Sequence, residues 1–246
     1  METLNRWREV ECALAVLLVA CGGGNDTTEP PPPVQVPPTE VQRPADPLRP
    51  EESRVVDLAM SFQTTCALTA DGRLHCWGEN RFGEFGNGTI TASAQPVPAG
   101  GGLTFDVIDG SMGTPQMCGV ARDGTAYCWG YNLNGELGDG TTTHRYWPTR
   151  VDANISFRAF ASSYHTCGLD TTGAAYCWGS GMGGQLGTGD GLSHLRPTPV
   201  MTESRYASIT NGMQFSCALT LAGEAQCWGW GIAPCPSCAW RVRAAC

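Results

Sequence analysis

Cysteine is the residue type with the most chemistry to offer in this sequence, thirteen copies in 246 residues. Eight of them fall into pairs with one spacing, C-x9-C: Cys66/Cys76, Cys118/Cys128, Cys167/Cys177 and Cys217/Cys227. Paired thiols can close a disulfide, hold a metal or exchange electrons. The enclosed segment discriminates between these. After Cys66 come Ala67-Leu68, a turn at Ala70-Asp71-Gly72, and a return segment from Arg73 to Trp77. Glycine supplies the positive φ that such a turn requires. A hairpin centred on Asp71 puts Cys66 and Cys76 five residues either side of its tip, face to face. Directly opposed antiparallel residues have Cα atoms about 4.5–5.5 Å apart, within disulfide reach. Metal ligation suits C-x9-C across a hairpin less well. Each bridge is expected to contribute about 2–3 kcal/mol.

Other residue patterns carry less. Cys235-Pro-Ser-Cys238 has the spacing of a redox or zinc pair. A redox pair needs a helix N-terminus to depress its thiol, and no βαβ context surrounds it. A structural zinc needs four ligands, and only Cys246 and distant histidines could assist. Glycine-rich loops resemble dinucleotide loops, but no helical segment follows them to face a phosphate. Asp139 and Asp190 lack the spaced oxygen ligands of a calcium loop. His75, His144, His165 and His194 stand singly, and His165 reads as a packing or hydrogen-bonding residue. No nucleophile-elbow signature is present. All fifteen basic residues are arginine, which excludes Schiff-base chemistry, a lysine base and a lysine-dependent phosphate loop. The expectation is a protein without catalytic residues, metal or cofactor.

The elements that position the cysteines recur. Each second cysteine is followed by Trp-Gly: Trp77-Gly78, Trp129-Gly130, Trp178-Gly179 and Trp228-Gly229. Each first cysteine is followed six residues later by Gly72, Gly124, Gly173 or Gly223, and the pairs recur every 49 to 52 residues. An apolar segment precedes each hairpin, at 55–60, 105–108, 157–160 and 206–209, and predicts an inner strand. Glycine loops begin at Gly78, Gly130 and Gly179, each with one apolar plug: Phe85, Leu137 and Leu186. Segments bearing Pro96, Pro148 and Pro197 then close the units, as outer strands tolerate a missing N–H.

A four-strand unit of this period suits a propeller blade. On these Cys, Trp-Gly and glycine-loop positions, the chain resembles the regulator of chromosome condensation repeat family in its cysteine-bearing bacterial form. The resemblance implies an all-β fold, a β-propeller with about four of seven blades, at 54–104, 105–156, 157–205 and a partial 206–231. Exposed edges of an incomplete ring invite pairing with other chains, so an oligomer through open blade edges is expected. The segment 232–246 lacks the loop glycines and the plug and reads as an off-pattern tail, from a frameshift or a truncated reading frame.

The N-terminal residues read as an address. Arg6 and Arg8 precede the apolar stretch Cys12 to Ala20, too short for a membrane span and suited to a signal peptide over 1–20. Leu18-Val19-Ala20-Cys21 resembles a bacterial lipobox, which implies cleavage before Cys21 and its lipidation. Residues 21–53 read as a tether. Nine prolines stand between Pro30 and Pro50, and such a chain could extend roughly 100 Å. The expected location is the cell envelope, lipid-anchored and extracytoplasmic, a disulfide-permissive setting. A net charge of −8 argues against nucleic acid as a ligand.

The function expected is an envelope-tethered protein-binding module, joined to the membrane only by its lipid, whose loops on one propeller face meet a protein partner. Large residues that differ between copies are the candidate contacts: Arg81, Phe82, Tyr131, Leu133, Tyr146 and Trp147. The bland alternative is that they pack between blades. The resemblance carries two regulatory alternatives, a secreted enzyme inhibitor and a guanine nucleotide exchange factor.

Overall fold

The computed structural model describes residues 54–230 and the short strand at 239–240. Leader, tether, Cys21 and the tail cysteines Cys235, Cys238 and Cys246 lie outside the described residues. Four antiparallel sheets of four strands follow one another, each a simple meander. Blade 1 contains β1 (Val55–Ser61), β2 (Thr64–Thr69), β3 (Leu74–Gly78) and β4 (Ser93–Ala99). Blade 2 contains β5 (Phe105–Gly110), β6 (Gln116–Ala121), β7 (Ala126–Gly130) and β8 (Arg145–Arg150). Blade 3 contains β9 (Phe157–Ser162), β10 (His165–Asp170), β11 (Ala175–Gly179) and β12 (His194–Pro199). Blade 4 contains β13 (Tyr206–Asn211), β14 (Phe215–Thr220), β15 (Ala225–Gly229) and β16 (Ala239–Trp240). The architecture is an all-β, unclosed propeller, with β1, β5, β9 and β13 innermost.

The middle hairpin of each blade follows the sequence pattern. Cys66 pairs with Cys76, Cys118 with Cys128, Cys167 with Cys177 and Cys217 with Cys227, directly across the ladder. Their Cα atoms are 4.1 Å apart in every blade, and the sulfurs lie within bonding distance. The turn glycines Gly72, Gly124, Gly173 and Gly223 all have φ between 81° and 88°, which a β-carbon would strain. Prolines occupy the outer strands: Pro96 and Pro98 in β4, Pro148 in β8, Pro197 and Pro199 in β12. The fourth strand of blade 4 is drawn from the segment 232–246, with Gln226 opposite Ala239 and Ala225 opposite Trp240. Backbone pairing on a free strand edge needs no loop glycine or plug, so the sequence pattern could not indicate it.

The core is three inter-blade seams rather than one centre. Between blades 1 and 2, Cys66, Leu68, Leu74, Cys76 and Phe85 meet Phe105, Ile108, Met117 and Trp129. Between blades 2 and 3, Val120, Leu137 and Val151 meet Phe157, Phe160 and Trp178. Between blades 3 and 4, Leu169, Leu186 and Val200 meet Tyr206 and Ala218. The cysteine pairs of blades 1 to 3 therefore face the following blade. What the arc leaves open at its two ends are sheet faces carrying side chains. The open blade edges expected from the sequence are thus sheet faces, because the blades stack face to face.

Candidate functional site

In a four-strand meander the first turn and the third loop emerge at the same end. The β1–β2, β5–β6, β9–β10 and β13–β14 turns therefore share one face with the loops after β3, β7 and β11. The cysteine hairpin tips and the linkers between blades form the opposite face. The loop face is the candidate site.

Its loops are held from inside. Asn80 is buried, and its Oδ1 accepts the Phe85 N–H at 2.9 Å while its Nδ2 donates to the Thr89 and Thr91 carbonyls at 3.0 and 3.2 Å. Asn132 repeats this with the Leu137 N–H and the Thr141 and Thr143 carbonyls. In the third loop Gly181 takes that place, and its N–H donates to Ser193 Oγ at 3.1 Å. Glu84 and Glu136 are buried behind the loop tips and accept the N–H groups of Phe82 and Asn134. Burial raises the pKa of both carboxyls above the usual range. Gln185 supplies the same acceptor to Gly183 with no charge. Phe85, Leu137 and Leu186 are buried as plugs.

Three of the aromatic groups converge across the seam between blades 1 and 2. The Phe82 ring meets Tyr131 edge-on at 5.3 Å and His144 edge-on at 5.2 Å, and Tyr131 stacks on His144 at 5.1 Å. His144 Nδ1 accepts the Asn132 N–H at 3.0 Å, and burial lowers its pKa, so the imidazole is neutral at pH 7. Burial, reinforced by the Glu136 charge, raises the Tyr131 pKa. Of the six candidates, Phe82 and Tyr131 are brought together here. Leu133 is exposed two residues further along the loop that carries Tyr131. Arg81 is exposed and lies 3.1 Å from the Glu79 carboxylate.

Tyr146 and Trp147 lie elsewhere, on the outer strand β8. Their rings cover Gly83 and Gly88 of the preceding blade, and the Gly88 N–H donates to the Tyr146 carbonyl at 2.8 Å. They clamp the two blades together while keeping an exposed side.

The sequence reading missed a second set of residues on this face. Phe62, Met112, Tyr164 and Met213 sit in the tight turns between the two innermost strands of successive blades, and all are exposed. Phe62 alone among the described non-glycine residues has positive φ, at 45°. Holding an aromatic residue there costs roughly 1–2 kcal/mol. Its N–H donates to the Ser111 carbonyl of blade 2 at 3.0 Å. A large apolar residue in a turn of two to five residues was the available signal. A cavity of about 280 Å³, lined by Tyr164, Ser180, Gln185, Met213 and Gln214, opens between blades 3 and 4 on the same face. Such a surface can dock apolar and aromatic side chains.

His165, Asp139, Asp190 and His194 are engaged structurally. His165 is fully buried, and its Nε2 lies 2.7 Å from Ser216 Oγ in the next blade. Asp139 pairs with Arg145 at 2.7 Å, and Asp190 lies 2.9 Å from His194 Nε2. Among the described residues no three His, Cys, Asp or Glu side chains gather as a metal site.

Comparison with known proteins completes the picture. Profiles of the regulator of chromosome condensation (RCC1) repeat match residues 55–84, 123–169 and 172–219, about half of the chain. The ultraviolet-B receptor UVR8 of Arabidopsis thaliana is 31% identical over 101 residues, covering 41% of this chain and 23% of the receptor. The human E3 ubiquitin-protein ligase HERC2 is 33% identical over 88 residues, covering 35% of this chain and 2% of the ligase. Human WBSCR16 superposes with a TM-score of 0.63 at 23% identity, over 72% of this chain and 48% of that one. Yeast RCC1 (Prp20), in its structure bound to Kap60, superposes with a TM-score of 0.62 at 20% identity, over 73% of this chain and 44% of that one. The chain spans less than a quarter of these curated relatives and about half of these solved propellers. Four Cys-Trp-Gly blades, their glycine loops and the matched profiles lead to one conclusion: this chain belongs to the RCC1 repeat family.

Proposed function

We propose that this chain is an exported, non-enzymatic protein-interaction module that docks a protein partner on its loop face. The observation that carries the reading is the concentration of exposed apolar side chains there. Phe62, Met112, Tyr164 and Met213 project from the inner turns and Leu133 from a loop, beside the half-buried pair Phe82 and Tyr131. Aromatic residues are common interface anchors, and methionine adapts its shape to the surface it meets. Related propellers are known in complexes: yeast RCC1 with Kap60, and Prp20p with binding to Gsp1p and histones. Four cysteine pairs at disulfide distance support an oxidising, extracytoplasmic setting. The lipobox-like Leu18 to Cys21 and the proline-rich tether support anchoring in a bacterial envelope. An exported chain would not meet a cytosolic GTPase, which disfavours the exchange-factor alternative.

The test is a photo-crosslinking residue at Leu133, with the same residue at Asp123 on the opposite face as control. The expected result is one discrete adduct from Leu133, absent from Asp123 and lost when Phe82→Ala and Tyr131→Ala are combined. Equal adducts from both faces, or an adduct that survives the double change, would overturn the reading.

A further inference from the structure

The same blade-on-blade interface is built three times in this chain, and its two halves reappear uncovered at the two ends. The incoming half is read from the innermost strand. Phe105, Phe157 and Tyr206 pair with the third residue after the first cysteine of their blades and are 1%, 3% and 1% exposed. Val55 holds the same register in blade 1 and is 50% exposed. Ile108 and Phe160 pair with the residue after that cysteine and are 6% and 7% exposed, whereas Leu58, their counterpart, is 59% exposed. Trp129 and Trp178 are fully buried against the preceding blade, whereas Trp77, their counterpart in blade 1, is only partly buried.

The receiving half is read from the middle hairpin. Leu68, Val120 and Leu169 stand two residues after the first cysteine and are buried by the next blade. Leu219, at that position in blade 4, is 41% exposed, and Phe215 at the start of the same strand equally so. Cys66, Cys118 and Cys167 are fully buried, while Cys217 is only half-buried. Among the described residues, blade 1 thus presents an unmatched incoming half and blade 4 an unmatched receiving half. Neither half carries a charged side chain at these positions.

We propose that the chain self-associates head to tail, with the blade 1 face of one copy seated on the blade 4 face of a second. The occupant is a second copy because the missing partner of each face has the chemistry of the other, in the arrangement that already joins blades 1 to 2, 2 to 3 and 3 to 4. Such a contact is heterologous, so it closes into a ring or continues into a longer assembly. This surface is separate from the loop face, and its test does not depend on a partner protein.

The experiment measures the mass of the 246-residue protein in solution against concentration, for wild type, Leu58→Asp, Leu219→Asp and an equimolar mixture of the two variants. Both leucines are exposed, so neither change disturbs a core, and circular dichroism checks this. Wild type is expected to form dimers or larger assemblies. Each variant alone should associate about tenfold or more weakly, because each blocks one half. The mixture should recover a dimer and stop there, since each variant retains the half the other lacks. A wild type that stays monomeric at every concentration overturns the proposal in favour of faces covered by the chain's own remaining segments or by another protein. Association that survives in Leu219→Asp alone points to a symmetric blade 1 contact and also overturns it.

Discussion

Trp178 Nε1 donates a 2.8 Å hydrogen bond to the backbone carbonyl of Glu136 in the preceding blade. Trp129 repeats the bond to Glu84 at the same distance. In blades 2 and 3 the Trp of the Cys-Trp-Gly unit is thus a fastener between blades, and the preceding glycine loop is its seat. Gly138 lies directly beneath the Trp178 indole, where a β-carbon would come within 2.7 Å of Nε1.

Gly138→Ala therefore has two costs. Its φ of +70° strains alanine, and the added carbon displaces the indole from its acceptor. The expected destabilisation is about 2–4 kcal/mol. Gly124→Ala is the control, since its φ is +81° but nothing lies within 4 Å of the added carbon. That change should cost only about 1 kcal/mol. Urea unfolding of both variants measures the difference, and equal costs would show that backbone strain alone is responsible.

Two buried groups give opposite pH dependences. Burial pushes His165 down from 6.5 to about 4, so its contribution is complete above pH 6.5 and is lost as pH falls towards 4. Burial pushes Asp109 up from 3.8 to about 6, so it leaves stability intact below pH 3.8 and reduces it as pH rises towards 6. Each effect is on the order of 3 kcal/mol. They oppose one another between pH 4 and 6, which flattens the profile.

His165→Gln separates them. Gln116 occupies the equivalent position in blade 2 and donates to Thr166 at 3.0 Å, so glutamine can replace the bond to Ser216. The variant should lose less stability on acidification from pH 6.5. Asp109→Asn should gain stability at pH 7 and show a steeper acid loss. Thermal unfolding across pH 4–7 checks both slopes, and parallel profiles for all three proteins would refute the assignment.

The four cysteine pairs should differ in reducibility. Six of the eight cysteines are fully buried, but Cys217 and Cys227 lie half-buried on the open face of blade 4. Mild reductant followed by alkylation and peptide mass spectrometry should label these two first, with the fold retained. Labelling of the inner pairs should require unfolding, because no reductant reaches them in the native state. Losing an inner bridge, as in Cys118→Ser with Cys128→Ser, should cost about 2–4 kcal/mol.

Cys21 should carry the lipid in the producing cell. Metabolic labelling with palmitate is expected to mark the protein, and Cys21→Ala should abolish the label and release the chain from membranes. A labelled Cys21→Ala protein would place the attachment elsewhere.

Much of this was readable along the chain because a repeated unit states its constraints several times. The C-x9-C spacing, the turn glycine and the apolar segment before each hairpin define three strands by local rules of turn and alternation. Prolines located the fourth strand in blades 1 to 3. In blade 4 the pattern stopped, and the outer strand arose by backbone pairing that has no side-chain signature. Phe82 and Tyr131 were readable as unusual loop residues. His144 was not, because its place in the same cluster depends on the loop returning twelve residues after Asn132. Tyr146 and Trp147 were singled out for their size, yet only the stacked blades reveal the glycines they cover.

The sequence by itself determined the blade: which residues pair, which cysteines face each other, and which positions must be glycine. Those are consequences of short-range sterics and of a two-residue alternation, which operate within one hairpin. Tertiary structure alone decided which face of each blade is buried. A strand shows two sides to its sequence, and only the next blade, arriving some fifty residues later, settles which side leaves water. Leu68 and Leu219 occupy the same position in the repeat and read alike in the sequence, but one is sealed within a seam and the other stands on an open face.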